Sequence, residues 1–175
     1  MSERGFSIVE MVVVFAIVTI AVSMFARTLA SSKKLDPLST ETTIAASAAR
    51  SVLERMRNNP FEHIFPLYNH PASDDPGGPG TAPGWQFDVE GLTPLEPGKK
   101  CGTIIFPANG ANLREDFEDD FLGMPRDLNA DGVIDGLNHA SDCLLLPIRI
   151  RVEWIMQGSR GTRRSFEMYT MYGRY

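Results

Sequence analysis

The sequence predicts an α+β protein in which a long amino-terminal helix precedes a carboxyl-terminal antiparallel β-sheet. Three observations support this fold class. Residues 6–26 are almost wholly apolar, residues 38–57 carry an amphipathic helical stripe, and residues 148–172 contain two strand-like segments around a turn. Because both the stripe and the strands need a partner for their apolar faces, we expect the second half of the helix to pack on the sheet.

The apolar run from Phe6 to Ala26 is long enough to cross a membrane. A helix of this length spans roughly 32 Å, and the hydrocarbon core of a bilayer is roughly 30 Å thick. Glu10 is the one acid in the run, and a carboxylate at such a position costs on the order of 2.5–3.5 kcal/mol. We therefore infer that Glu10 pairs with an amino group, created by a cut between Gly5 and Phe6 and supplied by a neighbouring subunit.

These residues resemble the start of a type IV prepilin or pseudopilin. The resemblance rests on a short leader that ends in Gly5, on Phe6 as the first residue after it, and on Glu10 as the fifth. It implies that prepilin peptidase, a membrane aspartyl protease, removes residues 1–5 and methylates the amino terminus of Phe6. It also implies that Glu10 is the assembly carboxylate and that residues 6–26 bind other pilin subunits after leaving the inner membrane.

An ordinary secretory signal peptide is the alternative for this segment. Small residues at Thr28 and Ala30, or at Ala30 and Ser32, offer possible signal-peptidase sites. However, the leader has a single base, Arg4, next to an acid, and the apolar core of an ordinary signal peptide excludes an acid such as Glu10.

The composition bounds the soluble part of the chain. Of 175 residues, removal of the leader and the apolar run leaves enough for one head domain, residues 27–175. The net charge of −5 gives the head no general reason to bind nucleic acid. Cys101 and Cys143 lie beyond the apolar run, so in an oxidising compartment we expect them to form one disulfide.

The predicted helix continues into the head after Asp36-Pro37, where we expect a kink or a short break. From residue 38 to 57 small and apolar residues recur at intervals of three and four and face away from four charged residues. The apolar stripe comprises Ala45, Ala48, Ala49, Val52, Leu53 and Met56, and the charged face comprises Arg50, Glu54, Arg55 and Arg57. Asn59-Pro60 ends the helix. Residues 48–60 are similar to the helix end of V-type minor pilins and of small type II secretion pseudopilins.

We expect the rest of the chain to form loops and strands. We expect residues 61–70 to pack loosely over the head, and residues 71–84, rich in proline and glycine, to form a mobile exposed loop. Alternating polarity predicts strands at 85–90, 103–106 and 148–154, the last paired in a hairpin with 162–172.

Residues 127–138 have the spacing of a calcium loop. Oxygen-bearing side chains fall at the first, third, fifth and ninth positions, a glycine falls at the sixth, and the seventh offers a backbone carbonyl. The predicted ligands are Asp127, Asn129, Asp131, Val133 and Asp135, with Asn138 at the position where such loops have a glutamate. Calcium is the ion expected. The alternative is a turn favoured by Asp and Asn without an ion.

Polar residues near this loop are possible further ligands. The acid run from Arg114 to Asp120 could contribute Asp119 or Asp120, or simply form a solvated face. None of His63, His70 and His139 falls at zinc-ligand spacing from the cysteines, and each is expected to be an ordinary surface or loop residue.

No catalytic motif is present in the sequence, so we expect a structural subunit and not an enzyme. The resemblance implies a minor pilin, anchored in the bacterial inner membrane with its head in the periplasm and later part of a pilus or pseudopilus at the cell surface. A type II secretion pseudopilin is an alternative. A DNA-uptake pilin is another, for which Arg160, Arg163 and Arg164 would be the basic patch.

Overall fold

The computed structural model describes residues 7–158 and 161–174, and of residues 29–39 it describes the backbone only. The chain divides into two compact units, Met1–Thr40 and Glu41–Tyr175. Helix α1, Ile8–Arg57, runs from the first unit into the second. Of the predicted kink or short break at Asp36-Pro37, the break is absent, since α1 is continuous through both residues. A proline removes one backbone hydrogen bond, and the adjoining turns of a 50-residue helix can continue without it.

The second unit contains a four-stranded antiparallel sheet. Its strands are β1 (Gln86–Phe87), β2 (Gly102–Ile105), β5 (Leu145–Ile155) and β6 (Arg163–Gly173), in the order β1-β2-β5-β6. The strands β3 (Ala108–Asn109) and β4 (Asn112–Leu113) form a separate small hairpin. The α+β prediction and the β5–β6 hairpin are confirmed, whereas the first predicted strand is reduced to two residues.

The stripe on α1 covers one face of this sheet. Ala45, Ala49, Val52 and Met56 are fully buried, and the charged residues of the opposite face are exposed. Strand β5 presents its alternate residues to the same interior, with Ile148, Ile150, Val152 and Trp154 buried. Burial of each such side chain stabilises the fold by roughly 1.5–3 kcal/mol.

Residues 61–70 differ from the prediction. They form a second helix, α2 (Phe61–Tyr68), whose residues Ile64, Phe65 and Tyr68 are buried in the larger of two hydrophobic clusters. Phe65 meets Phe106 edge-on, with ring centroids 5.3 Å apart. The spacing of these residues at three and four was the available signal. The stretch is therefore a packed element of the core.

The loop at residues 71–84 has no buried residue, as predicted. It is nevertheless organised, because the Asp75 carboxylate accepts hydrogen bonds from the backbone N–H groups of Gly80 and Ala82. A short 3-10 turn, Ala72–Asp74, opens the loop, and Asn69 donates to Asp74 across its base.

Candidate functional site

Glu10 lies in the first turn of α1 and is exposed. Its position in the helix agrees with the predicted role in subunit pairing, which needs an accessible carboxylate. Gly5 and Phe6, the predicted processing residues, lie outside the described residues. The pairing of Glu10 with an amino group therefore stays a prediction.

The apolar segment Ile8–Thr28 is a helix of 21 residues, long and apolar enough to cross a membrane, and none of it is buried. Large apolar side chains are exposed on every side of this helix. They include Ile8, Val9, Phe15, Ile17, Val22, Met24 and Phe25, each more than half exposed. Thr19, Ser23 and Thr28 turn their hydroxyl groups back to backbone carbonyls four residues earlier. These polar side chains are thereby satisfied within the helix, which makes the segment compatible with lipid.

The predicted calcium loop is held by bonds from side-chain oxygens to its own backbone. The Asp127 carboxylate accepts from the N–H groups of Ala130 and Gly132, at 2.6 and 2.8 Å. Asn129 and Asp131 accept in the same way from residues two positions later. Gly132 has φ +87°, so the sharp turn predicted at the sixth position is present.

Two of the six predicted calcium ligands, Asn138 and Asp135, make other side-chain contacts. The side-chain oxygen of Asn138 accepts hydrogen bonds from the N–H groups of Leu113 and Ala140. Asp135 accepts from Leu137 N–H and lies beside His139 instead. Within the described residues, no three carboxylates of residues 127–138 form a close group. Calcium binding by this loop therefore stays a prediction.

His139 differs from the prediction of an ordinary surface or loop histidine. It is 4% exposed and surrounded by carboxylates. Its Nε2 is 3.1 Å from Asp135 Oδ1 and 3.8 Å from Glu115 Oε2, and its Nδ1 is 3.3 Å from Asp142 Oδ1. Burial alone would lower the pKa of His139, but the hydrogen bond to Asp135 and the charges of Glu115 and Asp142 leave that pKa raised.

In the acid run the buried carboxylate is that of Glu115, whereas Asp119 and Asp120 were the possible ligands in the sequence. Glu115 is fully buried, and its Oε1 accepts from the N–H groups of Leu128 and Asn129 at 2.7 and 3.2 Å. Asp119 instead caps the 3-10 turn Asp120–Leu122 and pairs with Arg149 at 3.1 Å. The acid run is therefore not simply a solvated face. Through these hydrogen bonds Glu115 connects the segment after β4 to the start of the predicted calcium loop.

The predicted disulfide is not formed. Cys101 and Cys143 are both free and buried, and they belong to different hydrophobic clusters. Burial raises the pKa of both thiols, that of Cys143 to about 11. The spacing of the two cysteines in the sequence does not indicate that they lie in different clusters, because their positions depend on the tertiary packing.

Of the predicted basic patch, Arg163 and Arg164 are exposed at the start of β6, and Arg160 lies outside the described residues. The DNA-uptake alternative stays a prediction.

Comparison with known families places the amino-terminal segment in a class. Residues 1–26 match the model of the prokaryotic N-terminal methylation motif. Together with the apolar helix that follows, this match is consistent with a type IV pilin-like protein and with membrane anchoring. The motif implies processing by prepilin peptidase and assembly with other pilin subunits. Neither the curated proteins nor the solved structures include a match to the chain.

Proposed function

We propose that this protein is a minor pilin, a structural or priming subunit of a type IV pilus that prepilin peptidase cleaves after Gly5 and methylates on Phe6. The observation that carries the proposal is the apolar helix Ile8–Thr28, which continues the methylation motif and of which no part is buried among the described residues. Such a surface is stable only in lipid or among other apolar helices. Both environments are those of a pilin, before and after polymerisation.

Glu10 gives the proposed assembly its specificity. Interactions among apolar side chains alone do not fix how far one parallel helix is shifted along another. A carboxylate one turn into the helix can pair with the amino terminus of an adjacent subunit at only one axial position. The attraction between these two charges is stronger in an apolar surrounding than in water.

The processing step is tested by intact mass spectrometry of the protein from its native membrane. The expected mass is that of a chain starting at Phe6 with one methyl group. A chain that begins at Met1, or after Ala30 as a signal peptidase would leave it, contradicts the proposal.

The assembly step is tested with Glu10→Ala in cells that make filaments. Because cleavage depends on the leader and not on this carboxylate, the variant should be cleaved normally but be lost from sheared filaments. Glu54→Ala, an exposed glutamate of the same helix, is the matched control and should be incorporated. Normal incorporation of Glu10→Ala would contradict the pairing mechanism.

A type II secretion pseudopilin is the second candidate, because it shares the motif and the apolar helix. Deletion of the gene separates the two functions. Loss of surface pili with normal protein secretion supports the minor pilin, and loss of secretion with normal pili supports the pseudopilin.

A further inference from the structure

A group of three side chains, of which Glu115 and His139 are buried and Asp135 is partly exposed, lies at the end of the predicted calcium loop. Glu115, Asp135 and His139 each offer one donor atom, and these atoms all lie within 4.8 Å of one another. Glu115 comes from the segment after β4, and the other two come from the irregular stretch between residues 127 and 144. A tetrahedral ion with bonds of about 2.0–2.1 Å places its donors about 3.3 Å apart. The observed separations of 3.1 and 3.8 Å from His139 Nε2 bracket that value.

One oxygen of this group lacks a partner. Glu115 is fully buried, and its Oε1 accepts two backbone hydrogen bonds, but its Oε2 has no hydrogen-bond partner. Among the described residues, the ion-pair partner of this oxygen is His139 Nε2 at 3.8 Å, which is too far for a hydrogen bond. An unsatisfied carboxylate oxygen in the interior is costly. A cation between Glu115, Asp135 and His139 would satisfy it.

The surroundings already orient these donors. His139 Nδ1 lies 3.3 Å from Asp142 Oδ1, which turns Nε2 towards Glu115 and Asp135. Imidazoles that bind metals usually donate their second nitrogen to a carboxylate in this way. Glu115 is fixed by the backbone of Leu128 and Asn129, and Asp135 by Leu137 N–H.

The donor chemistry selects the class of ion. Calcium and magnesium prefer oxygen donors alone, whereas one imidazole with two carboxylates suits zinc and related first-row transition ions. The set shares only Asp135 with the predicted calcium loop. We propose that Glu115, Asp135 and His139 form a site for a divalent transition-metal ion, with zinc as the expected occupant, that ties the segment after β4 to residues 127–144.

The test uses the full chain in detergent, freed of metal with a chelator and titrated with Zn²⁺ and separately with Ca²⁺ by calorimetry. We expect one zinc ion per chain and a higher thermal midpoint with zinc. Cobalt(II) in place of zinc should give the intense visible absorption of a four-coordinate site. His139→Gln should weaken zinc binding by at least about 100-fold, and His63→Gln, an exposed histidine, should leave it unchanged.

A second variant covers the case in which a buried substitution prevents folding. Asp142 has a side chain that is 54% exposed, so Asp142→Asn should fold and should weaken zinc binding by about 10–100-fold, as loss of an orienting carboxylate does. Zinc binding that neither Asp142→Asn nor His139→Gln reduces would overturn the proposal. The absence of saturable zinc binding would overturn it too, as would a site that binds Ca²⁺ more tightly than Zn²⁺ and depends on His139.

Discussion

Substitution of Glu41 should destabilise the head more than substitution of any exposed acid on the same helix. Glu41 is 4% exposed and lies on α1 at the start of the second compact unit. Its carboxylate accepts a hydrogen bond from Trp154 Nε1 at 2.8 Å and another from the backbone N–H of Gln157 at 2.9 Å. It thus connects α1 to the end of β5 and to the turn that follows.

The expected magnitude follows from these two bonds. The Trp154 bond is buried and has a charged acceptor, a type worth about 1.5–3 kcal/mol, and its loss leaves an indole N–H without a partner. The Gln157 N–H is nearer to solvent and can turn to water, so its loss adds about 0.5–1 kcal/mol. Glu41→Ala should therefore lower the free energy of unfolding by about 3 kcal/mol, or the thermal midpoint by on the order of 10 °C.

Differential scanning calorimetry of the full chain in detergent measures this change without depending on tryptophan fluorescence. Glu54→Ala is the matched control and should stay within about 0.5 kcal/mol of the unmodified protein. A double-mutant cycle with Trp154→Phe isolates the hydrogen bond, and the two effects should be strongly non-additive. If Glu41→Ala behaves like Glu54→Ala, or if the cycle is additive, the assigned contact does not stabilise the head.

Two further predictions concern the thiols and the calcium-like loop. Under denaturing conditions Ellman's reagent should titrate two thiols per chain. In the folded protein both thiols should react slowly, because they are buried and because the pKa of Cys143, raised to about 11, leaves almost no thiolate at neutral pH. Titration of no thiols after denaturation would show a disulfide. If the loop binds calcium, Ca²⁺ should raise the thermal midpoint of the metal-free protein. Asp127→Asn should abolish that rise, and the control variant Asp142→Asn should retain it. An equal rise in Asp127→Asn would contradict calcium binding by this loop.

The sequence predicted those parts of the fold that have a clear period. The alternation at 148–154 located β5 and its buried face, because a strand facing a core on one side must alternate. The three-and-four spacing located the stripe of α1 for the same reason. The same spacing is present in α2 at Phe61, Ile64, Phe65 and Tyr68, but the expectation of a loosely packed segment rested only on the moderate apolar content of residues 61–70.

The side-chain cluster around His139 could not be predicted in the same way. Glu115 and His139 are brought together by contacts between segments that are distant in sequence, such as the hydrogen bond from His139 N–H to the Leu113 carbonyl. No local sequence pattern indicates such contacts. Likewise, the cysteine count suggested a disulfide, but Cys101 and Cys143 belong to different hydrophobic clusters, and no local sequence pattern indicates that separation. The acid run and the histidine were visible in the sequence, but their proximity was not.

The helix Ile8–Thr28 has a consequence for how a filament subunit is rotated. The apolar side chains lie all around the helix axis and not in a stripe. Apart from Glu10, the helix therefore has no side that is preferred for contact with neighbouring helices. A coiled coil, by contrast, sets its own rotation through a narrow seam. In the proposed filament the rotational setting of each protomer must then come from contacts between heads. Variation on the head surface could therefore change the helical twist without any change in the apolar segment.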